Sequence, residues 1–281
     1  MAGGEETSLL RTISPGEFEQ IRDLAYRQFG LDLRAGKEAL VAARLNRQLR
    51  ELGFHTFREY YQHVSEDRSG ESLVALIDAL TTNHTSFFRE AAHFDVLRDS
   101  VLPRLAARAK AEIWCAACAS GEEAYSLAFV VLDHSPALRQ KLHILATDIS
   151  TRMLAAAGAA VYPTDRVETL PEAQLRRYFL KGANAWRGCY RVRPEIRRLI
   201  EFRRLNLVNF KPPGLFPVIF CRNVMIYFDK PTQGKVVAGL TECLEPGGYL
   251  FLGHAETLTG ITHGLRYVRP AVYQKPEGVE R

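Results

Sequence analysis

The chain has 281 residues, 47% hydrophobic and 25% charged, and carries a net charge of +5 at pH 7. That length supports one large domain or two modest ones, and the composition excludes a disordered, fibrous or disulfide-built protein. No apolar run reaches the roughly 20 residues that span a bilayer, and the basic balance favours an acidic partner without naming its class.

Met1 to Thr7 lack a basic stretch followed by an apolar one, so no secretory signal is visible. Five cysteines, an odd number at irregular spacing, fit free thiols in a reducing compartment. The expected location is cytoplasmic.

The first eighty residues carry helical periodicity and no convincing strand. Ser14-Pro-Gly-Glu17 reads as a capping box with proline at the first helical position, and Phe18, Ile21, Leu24 and Ala25 follow on one face. Gly30 is the expected stop. A second helix is expected from about Lys37 to Leu52, ended by Gly53. Thr56-Phe-Arg-Glu59 is another capping box and opens a third; Glu71 to Leu80 gives a fourth with Leu73, Leu76, Ile77 and Leu80 apolar. On the second helix Val41, Leu45, Leu49 and Leu52 are expected on one side and Arg44, Arg47 and Arg50 on the other. The arginines read either as a solvated face or as a docking surface for an acidic helix.

Thr82-Asn-His-Thr-Ser-Phe-Phe-Arg-Glu90 joins this region to the next. It reads either as a loop at a ligand site or as one capping a helix through Phe94 and Leu97. From about residue 110 strands and helices alternate, the signature of a doubly wound α/β sheet. Strands are expected at Glu112–Cys118, His143–Thr147, Ile200–Leu205, Pro217–Cys221 and Tyr249–Gly253, with a late pair around Tyr267–Gln274. Helices are expected at Gly121–Asp133, Thr151–Ala160 and Lys230–Leu244, and Pro246-Gly-Gly248 is the expected turn into the next strand. One segment, between Leu170 and Arg198, breaks the alternation. Gly182 and Gly188 punctuate it, and Tyr190 and Val192 alternate with Arg191 and Arg193. That pattern predicts short antiparallel strands inserted on the sheet's rim, able to accept a peptide strand along an edge.

Ile113–Tyr125 reads as strand, small-residue loop and helix. Ala117, Ala119 and Gly121 stand where a dinucleotide fold carries three glycines, and alanine disfavours the close approach that a pyrophosphate needs. A phosphate-free ligand such as S-adenosylmethionine (SAM) is better tolerated, and no GxxxxGK[ST] sequence supports a P-loop. Glu123 is either the last residue of a Ser120-Gly-Glu-Glu123 capping box or a carboxylate beside a cationic ligand. Asp148, at the tip of the following strand, suits ribose hydroxyls, or else caps the helix from Ser150. Arg222 and Asn223 follow a buried strand and border the crevice where open parallel sheets bind ligands. Tyr227 either lines that cavity or packs. Cys115 and Cys118 form a lone CxxC without further ligands at zinc spacing, so they are read as buried structural thiols and no metal site is expected.

Taken together, Thr81–Glu90, Ala117–Tyr125, Ala146-Thr-Asp148, Phe220–Asp229, Pro246–Glu256 and Arg191-Val-Arg-Pro-Glu195 resemble the chemotaxis receptor methyltransferases, the CheR family. The first five occur in the family's order across some 180 residues, and the helical region before them matches its N-terminal domain. The resemblance implies a Rossmann-like SAM-dependent methyltransferase sheet (residues 81–281) with an N-terminal all-α receptor-recognition domain (1–80) and a small inserted antiparallel β subdomain at about 170–200. It implies that Asn83, Thr85, Arg89, Glu123, Asp148, Asn206, Leu207, Arg222 and Asn223 line the SAM site, with Arg89 and Tyr227 nearest the transferring methyl. The implied reaction is O-methylation of glutamate side chains on the cytoplasmic helices of chemoreceptors, leaving S-adenosylhomocysteine. Arg44, Arg47 and Arg50 would meet the receptor helix.

In some members the β subdomain binds a receptor C-terminal peptide through a glycine-rich loop. Gly182, Gly188 and Arg191 match that loop, but Asn184 stands where such members carry another glycine. Asparagine tolerates positive φ better than most residues, so the turn is expected to survive. Two other readings compete. A nucleic-acid methyltransferase fits the basic charge, but the chain has no basic tail, RNP-like strand or Asn-Pro-Pro-aromatic motif, so neither nucleic acid nor direct membrane insertion is expected. A SAM-binding regulator without transfer activity is the non-enzymatic reading; the presence of Arg89 and Asp148 speaks against it.

Overall fold

Capping fixes where the first helices begin. Ser14 accepts the Glu17 amide while Glu17 reaches back to Ser14, so α1 runs Pro15–Phe29 and stops at Gly30. The second helix, α2, spans Glu38–Leu52. Thr56 and Glu59 repeat the reciprocal bonds at the head of α3 (Phe57–Glu66), and α4 is Glu71–Leu80. Phe18, Ile21, Leu45, Leu49, Phe57, Tyr60 and Ile77 are all buried, so the apolar stripes of the four helices share a core. The computed structural model describes residues 11–278; Met1–Thr7, read above for a leader, lie outside them.

Two expectations for α2 fail. Leu52 is 53% exposed and does not join Val41, Leu45 and Leu49, because the helix ends there and Gly53 turns the chain. Arg44 is half-buried. Its guanidinium donates to the Leu80 carbonyl and, at 3.0 Å, to Thr82 Oγ1, satisfying the end of α4. At 100° per residue Arg44 lies only about 60° from Val41, close enough to the buried stripe to be recruited by it. Arg47 and Arg50 remain exposed, with Arg47 paired to Glu51 at 2.8 Å.

The chain divides into two compact units between Thr82 and Asn83. The second opens with α5 (Ala92–Val96), a π turn over Leu97–Val101 and α6 (Leu102–Ala106). Pro103 cannot donate to the preceding turn, which accounts for the widening just before it. Then follow β1 (Ala111–Ala116), α7 (Glu122–His134), β2 (Leu142–Asp148), α8 (Thr151–Ala159), β3 (Val161–Pro163), α9 (Thr164–Val167), α10 (Glu172–Tyr178), β4 (Phe179–Lys181) and β5 (Cys189–Val192). The remainder is α11 (Pro194–Arg197), β6 (Ile200–Arg204), β7 (Phe216–Cys221), α12 (Lys230–Glu242), β8 (Leu244–Phe251), β9 (Arg266–Arg269) and β10 (Val272–Gln274).

Seven strands form one sheet in the order β6-β2-β1-β7-β8-β10-β9, with β6 to β8 mutually parallel and the last two antiparallel. Both faces are covered, so consecutive residues pack into different layers. Ile113 and Cys115 join one core with Val218 and Phe220, whereas Trp114 and Ala116 join the other with Ile219 and Cys221. Chain order reverses between β1 and β7, the kind of switch point at which open parallel sheets bind ligands in a crevice outside the carboxyl ends of the strands.

Pro246-Gly-Gly248 does not turn the chain into a strand. It lies within β8, where pairing with β7 shifts register between Phe216 and Val218, and α12 correspondingly stops at Glu242, before Leu244. The second sheet has the antiparallel order β3-β5-β4. Its first strand comes from Val161–Pro163, upstream of the expected 170–200, because a two-residue alternation so short carries no periodicity of its own.

Candidate functional site

The loops leaving β1 and β7 face each other across the switch point. In the first, Ala117 and Ala119 take φ of 69° and 46°, the left-handed conformation that glycine would adopt freely. Each costs about 1 kcal/mol or more, so the strain must be held by neighbours. Asp148 does this for Ala119: its Oδ2 accepts the Ala119 amide at 2.8 Å and its Oδ1 the Ser150 amide at 2.9 Å. The Asp148 carbonyl also accepts from Leu205 at 3.0 Å, which sets Asn206 and Leu207 beside the same tip. Asp148 does not cap α8; Ser150 Oγ does, accepting the Met153 amide at 3.1 Å.

The capping box at Ser120–Glu123 does not form. Gly121, at φ 95°, is itself the cap of α7, and Ser120 Oγ donates to Glu122 Oε2 at 2.7 Å. Glu123 is therefore available to the crevice. Its Oε2 pairs at 2.7 Å with Arg222, and Cys115 Sγ donates to its Oε1 at 3.3 Å. Cys115 and Cys118 are buried, and burial pushes both thiols far up, as inert structural cysteines require.

Arg222 is the centre of the arrangement. Its side chain is 1% exposed, and it joins Glu123 to Glu90, the latter at 2.8 Å, while donating to the Arg89 carbonyl at 2.6 Å. Burial would raise the Glu90 carboxyl, but Arg222 outweighs it, with further bonds from Asn223 Nδ2 at 3.2 Å and the His254 amide at 3.0 Å, and holds it down at about 2. Asn223 sits at φ 58°, stabilised by Glu256. That buried carboxylate accepts four amides: Gly253 at 2.6 Å, Asn223 at 2.9 Å, Met225 at 2.7 Å and Ile226 at 3.3 Å. Gly253 is obligatory here, since a Cβ would stand 2.4 Å from Asn223 Nδ2.

Arg89 is half-buried and donates to the His84 carbonyl at 2.9 Å. Thr85 is buried, with its carbonyl bonded at 3.0 Å by Arg166, and Asn83 is half-buried on the same run. Tyr227 is half-buried and closes a single helical turn, Met225–Tyr227, beyond Asn223. Gly182, Gly188 and Arg191 belong instead to the three-stranded sheet. Among them only Gly182 has no room for a side chain: a Cβ would lie 2.1 Å from the Trp186 carbonyl. Asn184 adopts φ 51°, as its tolerance of that region allows. Arg191 lies on the central strand β5, paired on both sides, so the free edges belong to β3 and β4 and Arg191 offers only its side chain. Beside it a cavity of about 420 Å³ is lined by Val161, Leu180, Trp186 and Tyr190. Arg44, Arg47 and Arg50 belong to the helical unit.

Glu90, Glu256 and Arg166 are site-shaping residues that sequence reasoning passed over. Glu90 and Glu256 close the Thr81–Glu90 and Pro246–Glu256 blocks, and for Glu256 an acid shortly after a parallel strand was the available signal. Glu90, His93 and His254 also bring ligand atoms within 4.8 Å of one another. Both oxygens of Glu90 are already engaged by Arg222, Asn223 and the His254 amide, so its charge is met by the guanidinium. Around the crevice, two carboxylates oppose one guanidinium, and the Ala119 amide that a phosphate would want is given to Asp148. That donor set fits a cationic, phosphate-free ligand such as SAM and does not fit a pyrophosphate.

Known proteins agree on both units. The family described as CheR methyltransferase, SAM binding domain, matches residues 83–273, and CheR methyltransferase, all-alpha domain, matches residues 16–81. Chemotaxis protein methyltransferase 2 of Pseudomonas aeruginosa is 39% identical over 259 residues, covering 92% of each chain. The chemotaxis protein methyltransferase of Klebsiella aerogenes is 39% identical over 263 residues, 93% of this chain and 90% of its own. Among solved structures, the N-methyltransferase NodS of Bradyrhizobium japonicum, in complex with S-adenosyl-L-homocysteine, covers 66% of this chain and 88% of its own at 18% identity and a TM-score of 0.39.

Proposed function

The chain belongs to the CheR methyltransferase family, and from that membership we propose that it methylates glutamate side chains on the cytoplasmic helices of chemoreceptors, giving γ-methyl esters. It is a SAM-dependent methyltransferase of chemotaxis signalling. The observation that best supports the cofactor site is the Glu90–Arg222–Glu123 cluster, in which two carboxylates flank one guanidinium and so suit a cationic ligand, while the glutamate acceptor follows from the family. Glu123, Asp148, Arg222, Asn223, Asn206, Leu207, Asn83, Thr85 and Arg89 are the residues proposed to hold SAM. When bound, SAM supplies an electrophilic methyl group on a sulfonium sulfur.

The acceptor needs no catalytic base. A glutamate side chain, with an ordinary pKa of about 4.3, is already ionised near neutrality, so the protein's task is alignment. Arg89 orients the incoming carboxylate, and Tyr227 shapes the pocket around it. The helical unit carries receptor recognition through Arg47 and Arg50, and salt should weaken that attraction. Arg44 serves the helical fold itself.

The inserted sheet is proposed to add a receptor C-terminal peptide along the free edge of β3 or β4, with a side chain in the cavity beside Trp186. The expected compartment is the cytoplasm; no described helix is long and apolar enough to cross a membrane. The test is incubation with methyl-labelled SAM and receptor-bearing membranes, followed by alkali. Volatile labelled methanol supports a glutamyl ester; label that stays on protein or nucleic acid refutes it.

A further inference from the structure

Arg166 links the inserted subdomain to two loops of the cofactor site. It stands on α9, directly after β3, and its Nη2 alone reaches the Thr85 carbonyl at 3.0 Å, Ser120 Oγ at 3.5 Å and Glu122 Oε1. Glu122 is wholly buried, and its other oxygen is held by Ser120 Oγ at 2.7 Å. From the same subdomain the buried Tyr162 donates its hydroxyl to the Ser120 carbonyl at 2.8 Å. Ser120 ends the strained alanine loop, and Glu122 begins the turn of α7 from which Glu123 reaches Arg222. Thr85 lies on the other loop, five residues before Glu90. One guanidinium therefore fixes two segments that approach the crevice from different parts of the chain. A buried carboxylate without its counter-charge is strongly destabilising, and an unbonded buried carbonyl is free to move towards other donors.

We infer that Arg166 is a positioning residue for the cofactor site: through Glu122 and the Thr85 carbonyl it holds both loops in place, so that cofactor affinity depends on the inserted sheet. This rests on the site proposed above. Arg166 itself does not touch the reacting atoms.

The experiment measures S-adenosylhomocysteine binding by calorimetry, together with thermal melting, for the full chain, for Arg166→Ala and for Arg166→Ala/Glu122→Gln. Arg166→Ala should bind about tenfold more weakly, the loss of one charged hydrogen bond, and melt at lower temperature. The double variant no longer buries an uncompensated charge, so its melting should recover while its affinity stays about tenfold down, because the Thr85 carbonyl still lacks its donor. A residue that merely holds the fold together would restore both at once. That outcome, or binding by Arg166→Ala within twofold of the parent, overturns the inference. Absence of binding by the unaltered chain overturns the site reading and the inference with it, whereas equal, tight binding by all three sinks the inference alone.

Discussion

Replacing Arg222 with methionine tests the centre of the site. The guanidinium is 1% exposed and makes bonds of 2.7 Å to Glu123, 2.8 Å to Glu90 and 2.6 Å to the Arg89 carbonyl. Charged hydrogen bonds contribute roughly 1.5–3 kcal/mol each, but part of that sum is offset by the penalty for burying the charges. Removing one partner of such a buried cluster costs about 4 kcal/mol, since Glu90 and Glu123, only 14% and 12% exposed, are left facing each other. For a unit of this size that corresponds to a fall in melting temperature of roughly 8–16 °C. The pH dependence has a definite sign. In the parent, the folded Glu90 carboxyl is depressed to about 2, so its contribution is present above its ordinary 4.5 and lost only as pH falls towards 2. Without Arg222 burial raises that carboxyl instead, and the penalty is relieved by protonation. The gap between variant and parent should therefore narrow as pH falls from 7 towards 4. Urea unfolding followed by circular dichroism, with slopes compared, gives the measurement. A further variant, Arg222→Met/Glu90→Gln/Glu123→Gln, should recover at least half the loss. Unfolding of Arg222→Met within 1 kcal/mol of the parent at pH 7.5, or no recovery in the triple variant, would refute the reasoning.

Three further outcomes are expected. Burial, helped by the charges of Arg222 and His254, pushes the His93 imidazole down to about 4; the unfolded chain then binds the proton more tightly, and stability falls as pH drops from 6.5 towards 4. Between pH 6.5 and 5 that amounts to about 1.6 kcal/mol, which should be missing from the pH profile of His93→Gln. Asp148→Asn offers an amide donor where one of two backbone amides needs an acceptor, so S-adenosylhomocysteine affinity should drop about tenfold; a drop under twofold in calorimetry would count against Asp148 as the residue that fixes the loop. Arg47→Ala/Arg50→Ala should raise KM for receptor several-fold and flatten its salt dependence while leaving S-adenosylhomocysteine affinity unchanged; a loss of cofactor binding would point to misfolding instead.

The resemblance to CheR rested on short blocks whose local chemistry is written in the sequence. Capping boxes at Ser14 and Thr56, the apolar stripes of the first helices and the all-buried strand Ile113–Ala116 need no distant partner, so they were legible from residue type and spacing. The loop after that strand was legible as a tight strand-to-helix turn because its residues are small. What the alanines do was not. The left-handed conformation of Ala119 persists because Asp148, 29 residues away, accepts its amide, and that pairing exists only once β1 and β2 lie side by side. Glu123 was balanced between cap and site in sequence, since a capping box is defined by spacing alone. The structure rules out the cap and pairs Glu123 with Arg222, 99 positions away. Arg44, expected opposite the apolar stripe, instead bonds the end of α4, because the helical wheel locates a side chain relative to its own helix and not relative to its neighbours. Sequence determines which groups are available, while long-range pairing decides which charge meets which.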